Sequence, residues 1–196
     1  MSKELKYLVI HCTATPEGRA VTPDSIALWH RGALKNADGT FTFLGKKYTS
    51  AQLKNLTLIL PSGKAVAADK TNGRGWSALG YTDMILLDGS LVRLTDNNED
   101  DIVDSWEITN GVAGINNVSR HVVYVGGCDA NMKPKDTRTN EQSIRLAQYV
   151  FETVRRHPKI LVCGHNQFDK KACPSFDVFK WLHGICLPLR NIYIRK

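Results

Sequence analysis

The chain has no apolar run long enough to cross a bilayer as a helix, so a membrane span is not expected. It has no internal repeat and no low-complexity tract, and its composition is not that of a disordered chain. Cysteine is scarce and odd in number, with Cys12, Cys128, Cys163, Cys173 and Cys186 among 196 residues. No paired framework is visible, which argues against a disulfide scaffold and for free thiols or metal ligands. The first residues, "MSKELKYLVIH", are too polar for a secretory signal. Cytoplasmic synthesis is therefore expected, with any outside target reached by another route. No zinc finger, helix-turn-helix or RNA-binding signature occurs, so a nucleic-acid partner is not expected.

What is present fits one soluble domain, expected to be a monomer, with 42% hydrophobic and 23% charged residues. Lys and Arg outnumber Asp and Glu by 26 to 19, and the net charge of +7 favours anionic partners, cell wall among them. An acidic stretch, "DNNEDDIVD" (96–104), interrupts that charge.

Residues 5–12, "LKYLVIHC", read as a buried strand. "TPDSIALWHRG" (22–32) follows helix grammar, with Thr22 as N-cap, Pro23 in the first turn and Gly32 as the stop. "GYTDMILLDGSLVRL" (80–94) reads as a hairpin turning at Asp88-Gly89, and "HVVYVGG" (121–127) as a central strand. "TNEQ" at Thr139 is a capping box opening a helix whose expected buried stripe is Ile144, Ala147, Phe151 and Val154. That helix ends at Arg155, Arg156 and His157 before Pro158. "KILVC" (159–163) is a further strand, and "SFDVFKWL" (175–182) a short helix. Residues 33 to 73 break the rhythm with hairpins of their own and read as an insertion. The expected class is α/β (α+β): a single domain with a central mixed β-sheet flanked by helices, plus this inserted subregion.

The chemistry concentrates in "GHNQFDKKACPSFD" (164–177). Zinc takes imidazole nitrogen and thiolate, and a catalytic site keeps one open position beside three protein ligands. His165 and Cys173 flank a short loop at a strand end and can face one point. Pro174 biases Cys173 toward extended geometry, which would put Lys171 on the same side as Cys173. His11, where a buried strand ends, is the candidate third ligand, and strand alternation then sends Cys12 into the core. A closed structural site that adds Cys163 is the alternative, although Cys163 reads more readily as packing. His121, His157 and His183 read as structural or exposed. His30 beside Trp29 and a sugar-stacking Trp76 are further cleft candidates.

"VIHCTAT" (9–15), "GYTDMILLDG" (80–89), "YVGG" (124–127) and "GHNQFDKKACPSFD" together resemble the zinc-dependent N-acetylmuramoyl-L-alanine amidases, the family of phage lysozyme-type endolysins and peptidoglycan recognition proteins. The likeness runs in order along most of the chain, with "WHRG" and "GRGW" also fitting. The resemblance implies one catalytic zinc ion held by His11, His165 and Cys173, with Tyr81 and Lys171 as catalytic groups. It implies peptidoglycan or muropeptide as substrate, cut at the amide between the lactyl group of N-acetylmuramic acid and L-alanine. Where the family has a histidine and a large apolar residue after the tyrosine, this chain has Thr82 and Asp83. Alternation would place Asp83 on the face of Tyr81, within reach of the site. The segment "TNGVAGINNVSRH" (109–121) matches the family only loosely.

The function expected from these residues is cell-wall amide hydrolysis of the endolysin type. The alternatives are a non-catalytic peptidoglycan-binding module and an intracellular muropeptide-recycling amidase. A nucleic-acid binder with structural zinc and a thiol hydrolase using Cys12 or Cys173 are the remaining classes. Retention of the cysteine ligand favours an enzyme over a binding module.

Overall fold

The structure is a computed structural model and describes residues 2–195. Four α-helices lie among the described residues: α1 (Pro23–Arg31), α2 (Ser50–Leu53), α3 (Asn140–Arg156) and α4 (Val178–Gly184). The main sheet has five strands, β1 (Tyr7–Cys12), β2 (Asp83–Ile85), β3 (Leu91–Arg93), β4 (Ser119–Tyr124) and β5 (Leu161–Gly164). Their spatial order is β3-β2-β4-β1-β5. The hairpin β2–β3 is antiparallel, and every other neighbouring pair is parallel. The sheet is therefore mixed and the class is α+β, as the sequence led us to expect.

The chain divides into two compact units, one made of residues up to Ala20 together with those from Tyr81 onward, the other Val21–Gly80. In the first unit, strand alternation splits β1 between two faces. Leu8, Ile10 and Cys12 join Ile85, Val122, Tyr124 and Val162 on one face, packed with Leu146 and Val150 of α3 and Val178 and Leu182 of α4. Each fully buried Leu or Ile there contributes about 1.5–3 kcal/mol over its exposed state. The opposite face carries Val9 and Cys163 with Val112, against Tyr7, Ile115, Phe168 and Tyr193. His11 shares that second face, one residue before β1 ends.

The cap at Thr139 forms as expected, with its side chain accepting from the Gln142 backbone at 3.0 Å. The expected buried stripe of α3 forms only in part, with Val154 half-buried against the core. Gln142, Leu146 and Val150 face inward, whereas Ile144 is 61% exposed and Phe151 42%. A glutamine at an inward position hid the helix phase, because its side-chain nitrogen is occupied by the carbonyls of Ile85 (3.3 Å) and Val125 (3.0 Å).

In the second unit, α1 begins at the Thr22 cap and ends at Gly32, whose N–H bonds the Leu28 carbonyl. Among the described residues its strands pair only with one another, Phe41–Phe43 lying between Leu34–Lys35 and Lys46–Tyr48, and Thr57–Ile59 pairing with Ala65–Ala67. His30 is buried, accepts the Gly80 N–H at Nδ1 (3.0 Å) and lies 5.0 Å from the Trp76 ring.

Candidate functional site

β5 stops at Gly164, and the chain enters a 3₁₀ turn over His165–Gln167. The Gln167 side chain accepts the Gly164 N–H at 2.8 Å. The Asn166 N–H then reaches across to the Cys173 carbonyl at 2.7 Å and closes the loop that carries both His165 and Cys173. Beneath it the buried Tyr124 hydroxyl donates to the Pro174 carbonyl at 2.7 Å. The segment from Asp169 to Phe176 runs through bends and a turn, in which the Ser175 N–H bonds the Ala172 carbonyl at 2.6 Å.

The result brings donor atoms of His11, His165 and Cys173 within 4.8 Å of one another. His11 Nδ1 lies 3.7 Å from Cys173 Sγ, and the Cys12 backbone N–H donates to the same sulfur at 3.3 Å. The trio sits at the carboxyl ends of parallel strands β1 and β5, where ligands bind in open α/β sheets. His11 is 1% and His165 8% exposed. Cys163 takes no part in the group; its thiol points to the Leu8 carbonyl at 3.5 Å, and burial pushes its pKa well up.

Other expected residues fall around the trio unevenly. The Tyr81 ring packs beside His11, centroids 5.2 Å apart, with its carbonyl accepting from Thr95 at 3.0 Å. Lys171 is 59% exposed and ion-paired with Asp169 at 2.9 Å, and Asp169 also lies 3.9 Å from His165 Nε2. Burial, then the Lys171 charge, lower the His165 pKa, with Asp169 opposing them. The contact with the Cys12 thiol, then burial, hold the Cys173 thiol protonated more firmly than usual, and the Lys171 charge works the other way.

Asp83 does not share the face of Tyr81. β2 begins only at Asp83, so alternation does not extend back through Thr82. Asp83 turns toward α3, accepting from Arg93 Nε at 2.6 Å and the Tyr149 hydroxyl at 2.7 Å. This buried polar cluster ties the hairpin to the helix.

Of the two readings of His121, structural or exposed, the structural one holds: it is buried, and its Nδ1 lies 3.0 Å from His11 Nε2, a contact the sequence reading did not anticipate. Burial, then the proximity of His165, drop its pKa to about 3, so the ring is neutral at ordinary pH. A histidine inside the apolar run "HVVYV" was the available signal, since a buried imidazole needs a polar partner. The partner's identity depends on strand order, which local sequence does not encode. "YVGG" also acquires a reason: Gly127 has φ +103°, and a side chain there would collide with the Cys12 thiol.

No protein-family model matches the chain. The endolysin of Enterobacteria phage K11 is 33% identical over 109 residues, which make up 56% of this chain and 67% of the endolysin. Among solved structures, the N-acetylmuramoyl-L-alanine amidase LysC from Clostridium intestinale URNW aligns with a TM-score of 0.54 at 15% identity, covering 94% of this chain and 87% of that one. Drosophila PGRP-LB aligns with a TM-score of 0.52 at 15% identity, covering 98% and 88%. The likeness to the two structures is one of fold, and the endolysin match carries the family. The chain therefore belongs to the family of phage endolysins.

Proposed function

We propose that this protein is a zinc-dependent N-acetylmuramoyl-L-alanine amidase of the endolysin type. Its substrate in this reading is peptidoglycan, cut between the lactyl group of N-acetylmuramic acid and L-alanine. The observation that carries the reading is the gathering of two imidazoles and one thiol within 4.8 Å at the end of the sheet. A tetrahedral site with Zn–N of about 2.1 Å and Zn–S of about 2.3 Å requires an N···S edge of about 3.6 Å. The His11–Cys173 separation of 3.7 Å fits that edge. His11, His165 and Cys173 would hold the cation, which supplies Lewis acidity toward water and the scissile carbonyl when bound.

The chain's own groups do the rest. The Cys12 N–H at 3.3 Å orients the Cys173 sulfur and favours its thiolate. Attack on the amide places negative charge on the carbonyl oxygen, and a well-placed donor is worth on the order of 3 kcal/mol there. The Lys171 ammonium and the Tyr81 hydroxyl are the groups assigned to that task. The departing L-alanine amine also needs a proton, and both groups carry one. Lys171 must leave or share its ion pair with Asp169 to act. Residues 33–73 contribute no strand to the main sheet and no donor to the trio, which supports reading them as an insertion in the amidase framework.

Digestion of purified sacculi tests the reading. Zinc-loaded protein should free new L-alanine amino termini without new reducing sugar ends, and chelation should stop it until zinc is restored. Binding to sacculi without release, zinc present, would leave only a wall-binding module. Faster release from soluble muropeptides than from sacculi would favour recycling over lysis.

A further inference from the structure

We propose that His121 is a positioning residue that selects the tautomer of His11 in which His11 can hold the cation. The inference rests on the metal-site reading above. The two nitrogens of His11 have separate neighbours: Nδ1 faces Cys173 Sγ at 3.7 Å, and Nε2 faces His121 Nδ1 at 3.0 Å. A neutral imidazole carries one N–H, so only one of its nitrogens can offer a lone pair. If His11 Nε2 donates to His121, Nδ1 is open toward the trio. If His121 donates instead, the His11 proton sits on Nδ1 and blocks it. The hydrogen bond between the rings therefore decides whether the site is competent.

The surroundings hold His121 to this contact. In the parallel pairing of β4 with β1, His121 lies opposite Val9 and Val123 opposite His11, so the two imidazoles share a face. The Thr82 hydroxyl accepts the His121 N–H at 3.1 Å, and the His121 carbonyl accepts the Thr82 N–H at 2.8 Å. Gly111 lies flat against the ring: a Cβ there would come within 2.5 Å of His121 Cγ and 2.6 Å of Cε1. Among the described residues, His121 Nε2 has no hydrogen-bond partner, so the ring's polar contact is directed to His11 alone. Ligating histidines commonly donate their second N–H to a carboxylate or a carbonyl. Here that acceptor is a buried imidazole lone pair.

The test is zinc affinity by chelator competition for wild type, His121→Phe and His121→Asn. The Asn carbonyl can stand where Nδ1 stood. The Co(II)-substituted spectrum and long-range ¹H–¹⁵N NMR of the histidines are read alongside. We expect a 10- to 100-fold weaker zinc affinity in His121→Phe, the usual effect of losing such a partner. His121→Asn should recover most of it with a wild-type Co(II) spectrum. NMR of metal-free wild type should already place the His11 proton on Nε2. Equal affinity and equal spectra in folded His121→Phe would overturn the role, as would a His11 proton on Nδ1 in the metal-free form. The NMR result decides alone if His121→Phe does not fold. Wild type that takes up no zinc would instead overturn the metal reading beneath it.

Discussion

Cys173 receives a hydrogen bond from the Cys12 backbone and lies 3.7 Å from His11 Nδ1, whereas Lys171 is exposed and reaches outward to Asp169. Removing each should therefore have different consequences. Cys173→Ala should lose stoichiometric zinc and all sacculus cleavage, because two imidazoles alone hold the ion weakly. Lys171→Ala should keep its zinc and lose turnover by roughly 100-fold, the scale of one missing oxyanion donor. Metal analysis of the purified variants beside a turnover assay separates the two. Full zinc occupancy in Cys173→Ala would remove the sulfur from the site. At this scale, the trio was legible because its residue types are rare and their chemistry is specific. His121 was not, because a histidine within a strand declares its burial but not the neighbour that strand order will bring. Asp83 misled for a related reason, since alternation was counted through residues that are not yet strand.

Caps and turns are local, and the elements they delimit were readable for that reason. Thr22 and Thr139 form their capping boxes, and the hairpin turns at Gly89 with φ +80°. The facing of α3 is a tertiary matter. Gln142 serves both as the reciprocal half of the Thr139 box and as donor to two buried carbonyls of the sheet. Gln142→Ala should cost about 2 kcal/mol, combining the lost reciprocal half of the cap with the Val125 carbonyl left without its side-chain donor, while the Ile85 carbonyl keeps the Val125 N–H at 3.1 Å. Ile144→Lys should change stability by no more than about 0.5 kcal/mol, since that side chain already lies in solvent. Urea midpoints of the two variants settle the helix phase. A larger loss in Ile144→Lys would return α3 to the orientation its apolar spacing suggested.

For the whole molecule, the division at Val21 and Gly80 means that stability is shared between two compact units, and His30 gives one of them a pH dependence. Burial, then the Arg74 charge, lower the His30 pKa to about 4 from an ordinary 6.5. Its Nδ1 must keep a lone pair to accept the Gly80 N–H. Between these two values the unfolded chain binds a proton that the folded one does not, so stability rises with pH there and falls on acidification. The loss attributable to His30 between pH 7 and pH 5 is roughly 2 kcal/mol, approaching about 3 kcal/mol below pH 4. His30→Asn retains an acceptor near the Nδ1 position and cannot titrate. It should lower stability at pH 7 through lost packing on Trp76, yet lose less than wild type on acidification, with the other histidines contributing equally to both proteins. A proton NMR titration of His30 with a midpoint near 6.5, or parallel stability curves for the two proteins from pH 7 to 5, would show that its burial carries no such linkage.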